Sequence, residues 1–218
     1  MSIIDVRKSA AAFLKYHTSQ THQDLEQIVL PRLMALRTMD DYIVLLKNFY
    51  GYFKPVEEQI ERHIDTSILP DIHQRRKADS IQHDLTFSKA HIVHLPLATN
   101  LPVIENTYQA FGALYVLEGS TLGGRGITKM LLKNEHLQLE ENQVHFFNGY
   151  GAETGHMWTR FLKALNHYGN NQSALEAMTT TANETFTLFQ QWLQTKQLRF
   201  NKTVTPNFVA KFPCIKPI

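Results

Sequence analysis

Apolar residues recur at mixed spacings of three and four along most of the chain, the periodicity of one face of an α-helix. Thr38-Met-Asp-Asp41 resembles a capping box. The segment YIVLLKNFYGYFKPVEEQIERHI that follows keeps the helical pattern, and Pro55 is expected to bend it or to end it near Phe53. Ser173-Ala-Leu-Glu176 reads as a second capping box, opening a helix to about Lys196 with Phe186, Phe189 and Leu193 on one stripe. Strand signals are poor, since no run of alternating β-branched residues is framed by hairpin turns. No repeat and no Gly/Ser linker divides the chain. The pattern predicts an all-α, single-domain multi-helix bundle over residues 1–198. An irregular tail, with Pro206, Pro213 and Pro217, is expected over 199–218.

Composition adds limits. The 218 residues are 43% hydrophobic and include 13 Phe, enough for a sizeable core. A net charge of +2 from 22 basic and 20 acidic residues gives no reason to expect nucleic acid as a partner. The short basic run Gln74-Arg-Arg-Lys77 reads as a solvated helix face. Cys214 is the one cysteine, which excludes an internal disulfide framework and fits a reducing compartment. The start, MSIIDVRKSAAAFLKYH, lacks a basic leader followed by an apolar core, and no apolar window is long enough for a membrane span. A cytoplasmic protein is expected.

One stretch breaks the even pattern. Val116–Thr128 reads VLEGSTLGGRGIT and holds four of the chain's ten glycines, directly behind the apolar run Ala113–Leu117. A phosphate-binding loop fails on chemistry. Arg125 stands where the lysine should be, and Gly126 where a hydroxyl should hold Mg²⁺. Close helix packing or a kink is a second reading. A third is a helix that lies almost bare against a flat ligand. Gly119, Gly123 and Gly126 would share one helical face, and glycine, Gly124 included, removes the Cβ that holds a backbone away. Each glycine costs about 1 kcal/mol of helix propensity against alanine. The residues of this stretch leave the packing and ligand readings open.

The segment Leu14–Glu26 supplies a possible opposite wall. Thr18, His22 and Glu26 are spaced i, i+4, i+8, which puts them on one helical face. Glu26 can accept the Nδ1 proton of His22 and leave Nε2 for a metal. Lys15 lies two turns before His22, placed to meet an acidic group at a ligand's edge, and His17 is the second imidazole in the segment.

At these residues the chain resembles the heme oxygenases, in particular the bacterial branch associated with phytochrome chromophore supply. The matching pieces are L-K-x-x-T-x-x-x-H-x-x-x-E (Leu14–Glu26), F-Y-G-Y-F-x-P-x-E (Phe49–Glu57) and Y-V-L-E-G-S-T-L-G-G-R (Tyr115–Arg125). They continue as F-F-x-x-Y-G-x-x-T-G-x-M-W-x-x-F (Phe146–Phe161) and T-F-x-x-F-x-x-W-L (Thr185–Leu193), so the resemblance covers about residues 7 to 195.

The resemblance implies a heme-degrading monooxygenase that opens the ring to biliverdin with release of CO and Fe²⁺. His22 would be the proximal metal ligand, with Glu26 as its partner. Lys15 and Lys163 would meet the heme propionates, with Arg160 a rival for the second, while Thr18, Tyr115 and Arg125 would line the heme. Gly119, Ser120, Gly123 and Gly124 would form the distal catalytic segment, where steric cover selects one meso carbon. Heme is then both substrate and cofactor, O₂ the co-substrate, and electrons come from an external ferredoxin or reductase. A phytochrome is a possible biliverdin acceptor. Many members carry an aspartate directly after the first distal glycine to organise proton-delivering waters; Ser120 stands there in this chain, and a hydroxyl is no carboxylate base. Two alternatives accompany this reading: a heme-buffering protein without turnover, and a di-iron carboxylate oxidase. The second needs paired E-x-x-H motifs, of which only Glu153-Thr-Gly-His156 is present.

Overall fold

The computed structural model describes residues 9–75, 78–88, 90 and 95–195. The described residues are helical with no strand, as the periodicity predicts. In chain order the helices are α1 (Ala10–His17), α2 (Ser19–Met34), α3 (Met39–Ile60), α4 (Asp79–Phe87) and α5 (Thr107–Gly119). They continue as α6 (Gly124–Leu132), α7 (His145–Asn148), α8 (Thr154–Tyr168) and α9 (Gln172–Thr195). The expected tail over 199–218 lies outside the described residues. No helix among the described residues is long and apolar enough to cross a membrane.

Helix α5 sits at the centre because it is apolar on every side rather than along one stripe. Ala110, Phe111, Gly112, Ala113, Leu114, Val116 and Leu117 are all buried. It packs most extensively on α9 and also meets α3 and α8. Gly112 permits that approach: a Cβ there would stand 2.2 Å from the carbonyl oxygen of Met178 on α9. The predicted stripe Phe186, Phe189 and Leu193 is buried on α9. Phe189 stacks on Tyr52 and meets Phe49 and Phe53 edge-on, tying α3 to α9.

Three expectations about local structure meet different outcomes. Thr38 and Asp41 form the predicted capping box, with both reciprocal hydrogen bonds in place. Pro55 does not end α3, which continues to Ile60. Proline removes one helical donor and so orphans the carbonyl four residues back. That carbonyl, on Gly51, instead accepts the N–H of Ala98 at 2.8 Å, so a passing loop satisfies the helix. The second capping box is also displaced. Asn171 rather than Ser173 caps α9, its Oδ1 accepting the N–H of Ala174 at 3.0 Å, and Ser173 lies inside the first turn.

Two buried carboxylates act as caps from a distance. Glu57 on α3 takes the N–H of Ala78 at the start of α4 with both oxygens, at 2.9 and 2.8 Å. Asp84 on α4 takes the N–H groups of His145 and Phe146 at the start of α7, each at 2.9 Å. Helix N-termini carry unsatisfied donors and a partial positive charge, which suits a desolvated carboxylate. Burial pushes the Asp84 carboxyl above its usual range, and these two hydrogen bonds oppose that rise.

Candidate functional site

The proximal wall begins at a break. Helix α1 ends at His17 and α2 starts at Ser19, with Thr18 between them. The Thr18 hydroxyl donates to the Leu14 carbonyl at 2.8 Å, and the side chain lies beside Tyr115 of α5. Thr18 is only 2% exposed. It therefore does not share an open face with His22 and Glu26; its task is to tie the start of α2 to the central helix. Burial raises the Tyr115 phenol above its ordinary pKa, and the Thr18 side chain pulls the other way.

Four residues further on, the His22 side chain is 51% exposed, its ring edge-on to Phe186 of α9 at 5.4 Å between centroids. Its Nε2, rather than the expected Nδ1, is the atom near Glu26, at 3.7 Å from Oε1. That is too long for a hydrogen bond, so the pair is a loose i,i+4 contact rather than a fixed tautomer. Asn183 of α9 holds this turn in place. It accepts the Thr21 hydroxyl at 2.6 Å and donates to the carbonyls of His17 and Thr179 at 3.2 and 3.1 Å. Sequence reasoning missed Asn183; its one signal is an amide amid the helical core pattern of α9. His17, the alternative imidazole, leans on Phe13 with ring centroids 4.2 Å apart.

The glycine stretch is not one continuous helix. Helix α5 stops at Gly119 and α6 starts at Gly124, with Ser120–Gly123 as a turn between them. Its bonds tighten to i→i+3: Thr121 N–H to Glu118, Leu122 to Gly119 and Gly124 to Thr121, at 3.0 to 3.1 Å. The expected common face of Gly119, Gly123 and Gly126 is therefore interrupted. The glycines also divide by task. A Cβ at Gly119 would meet only the Trp158 ring, at 3.9 Å, and at Gly126 nothing within 4 Å. A Cβ at Gly124 would stand 2.0 Å from the Phe147 carbonyl oxygen. Gly124, placed in the catalytic set from sequence, instead lets α6 rest against α7.

Around Gly119, Trp158 of α8 tilts against Tyr115 at 5.8 Å and against Phe161 at 5.4 Å. Ser120 is exposed, and its hydroxyl donates back to the Leu117 carbonyl at 2.6 Å.

The end of α5 is anchored by a buried ion network that sequence reasoning did not find. Glu118, directly before Gly119, pairs with the guanidinium of Arg75 and accepts the Tyr150 hydroxyl at 2.8 Å. Arg75 makes two 3.0 Å hydrogen bonds to Asp71 and lies over the Phe161 ring. Arg75, expected on a solvated basic face, is 4% exposed because two carboxylates enclose it. The available signal was Glu118 itself, an acid inside an otherwise apolar helix, where a charge needs a partner.

Arg160 joins this network through Asp71, Nε to Oδ2 at 3.3 Å, while Lys163 stays exposed on α8. Helix α8 packs on α1, where the Ala11 N–H donates to Asn166 at 3.0 Å, so Lys163 and the exposed Lys15 sit on touching helices. Arg125 is exposed on α6. Among the described residues, Glu153 and His156 belong to no group of three or more potential metal ligands. A cavity of about 20 Å³ between Glu57, Arg75, Leu114 and Leu117 has room for one water at most and opens on a different face of α5 from Tyr115 and Gly119.

Comparison with known proteins bears on the family and the fold. The chain is 28% identical over 127 residues to a heme oxygenase of Xanthomonas campestris, covering 58% of this chain and 72% of that one. Its fold matches the NO- and CO-bound heme oxygenase of Neisseria meningitidis with a TM-score of 0.71 at 21% identity, over 86% of this chain and 92% of the other. The heme oxygenase of Leptospira interrogans gives 0.69 at 18% identity, over 86% and 100%. Heme oxygenase-1 of Synechocystis, solved in complex with heme, gives 0.66 at 16%, over 86% and 92%. A family model described as heme oxygenase matches residues 8–195, nearly all of the described chain, and the protein belongs to the heme oxygenase family.

Proposed function

We propose that heme lies between the first turns of α2 and the α5–α6 turn, with the His22 imidazole as its axial ligand. The observation that carries this is the neighbourhood of the Thr18 and Tyr115 side chains, which joins the start of α2 to α5. His22 and Gly119 each lie four residues, about 6 Å of helix rise, beyond one member of that pair. That neighbourhood supports a site shared by the exposed imidazole and the bare glycine. The residues fit a flat, largely apolar group with charged edges. Phe186 backs the imidazole, and Tyr115 and Trp158 offer aromatic surface beside Gly119. Lys15 and Lys163 are the cations for two propionates, and Arg125 is a third candidate at the distal rim.

A heme oxygenase converts heme to biliverdin, and bound heme supplies the O₂ chemistry itself. The chain's part is positioning. His22 fixes the plate on one side; Gly119 and Gly123 let the turn come close on the other, so that one edge remains within reach. The Ser120 oxygen accepts from a water, which passes protons that a carboxylate would organise elsewhere. Glu26 stands beside His22 as the partner that orients the ring once Nε2 turns away to the iron. The proposal includes an external ferredoxin or reductase as electron donor, a phytochrome as biliverdin acceptor and a cytoplasmic setting, all on the resemblance to the bacterial branch.

The test is heme titration followed by addition of O₂ and reductant, with analysis of the product isomer. Native chain should give an imidazole-ligated spectrum and then biliverdin; His22→Ala should give a weakly ligated spectrum and lose most turnover. An unchanged spectrum in His22→Ala moves the ligand to His17. A native spectrum that never converts leaves heme buffering.

A further inference from the structure

Helices α4 and α7 meet at a cluster of side chains that the heme face does not use. The Asp84 carboxylate is fully buried, and the N–H groups of His145 and Phe146 hold Oδ1 and Oδ2 respectively. Two imidazoles sit over it. His83 and His145 meet edge to face with centroids 4.2 Å apart, and their Nδ1 atoms are 3.7 and 3.4 Å from Asp84 Oδ1. One donor atom from each of the three residues lies within 4.8 Å of the other two. Both imidazoles are close to half exposed, at 43% and 49%, so an ion from solution can reach them. His145 Nδ1 is 3.2 Å from the Asn142 carbonyl oxygen. Asn142 also has its side-chain Oδ1 buried without a hydrogen-bond partner.

We propose that His83, Asp84 and His145 bind a divalent first-row transition-metal ion of the Zn²⁺ class. Two imidazole nitrogens and one carboxylate oxygen suit such borderline ions, whereas Mg²⁺ and Ca²⁺ take oxygen donors. A carboxylate has about four lone-pair sites, and the two backbone donors leave the others for an ion. Zinc donors at about 2.0–2.2 Å from the metal stand closer together than 4.8 Å, so the imidazoles must swing inward. Their exposure allows that, while Asp84 stays fixed as the rigid member. The fourth position goes to water. The ion clips α4 to α7, the helix whose Phe147 carbonyl rests against Gly124. It therefore bears on the back of the α5–α6 turn without touching the heme face.

The experiment is calorimetric titration of the metal-stripped full chain with ZnCl₂, repeated with Co²⁺ and read by its d–d absorption. The native chain should take up one Zn²⁺ at this site and melt several degrees higher with it. His83→Ala and His145→Ala should each weaken that uptake by roughly tenfold or more, and His22→Ala should leave it unchanged. Equal affinity and stoichiometry in the His83→Ala/His145→Ala double variant overturns the proposal, as does loss of the zinc in His22→Ala alone. If His145→Ala loses helicity, His83→Ala decides, because His83 lies on an exposed part of α4. None of these readouts requires heme.

Discussion

The first turn of α2, which carries His22, is held to the bundle by a neutral amide strap, whereas α5, which ends at Gly119, is fixed by a buried ion network. On the proximal side Asn183 straps the first turn, and Arg32 reaches the Leu193 carbonyl at 2.7 Å near the far end. On the distal side Glu118, Arg75 and Asp71 are all at least nine-tenths buried and mutually paired. A neutral strap can lengthen at a cost of about 1 kcal/mol, but separating buried charges costs several. Under the proposed heme placement, the first turn of α2 would be the wall that yields and the α5–α6 turn the fixed surface.

The largest effect should come from breaking the fixed side. Arg75→Ala leaves Glu118 buried without its cation and Asp71 with only Arg160, and should cost about 3–5 kcal/mol, read as a large fall in Tm. A loss under about 1 kcal/mol would mean the network is not an anchor. Next comes Gly124→Ala, whose methyl collides with a backbone carbonyl and should cost about 1–3 kcal/mol. Asn183→Ala tests the yielding side. It should cost about 1–2 kcal/mol and raise amide exchange in α2 while leaving α5 unchanged; equal loosening of both would erase the contrast. The smallest effect has the opposite sign. Gly126→Ala, at a helical position with nothing near the new methyl, should stabilise by up to about 1 kcal/mol. A destabilised variant there would show that its open face is covered by something else.

These glycines also show how far the chain could be read without coordinates. Their concentration in VLEGSTLGGRGIT marked a stretch that departs from ordinary helix, and the break between α5 and α6 falls inside it. Their separate tasks were hidden. Gly124 is set by the Phe147 carbonyl, 23 residues later in the chain, and no local pattern encodes where that carbonyl falls. The same limit explains Pro55. Its effect on α3 depends on Ala98 supplying the missing donor from a distant loop. The turn at Ser120–Gly123 escaped for a related reason, because its shift to i→i+3 bonds leaves the helical spacing almost intact.

The sequence by itself determined the all-α class, the long helices, the capping box at Thr38, the buried stripe on α9 and the family. All of these follow from periodicity, from hydrogen bonds within a few residues or from motif spacing. Only the tertiary structure decided that Thr18 is buried beside Tyr115, that Arg75 is buried between two carboxylates and that Asp84 gathers two histidines. In each case the deciding partner comes from another helix. A side chain's chemistry is written in its own position, but the dielectric, charges and donors that set its role arrive with packing.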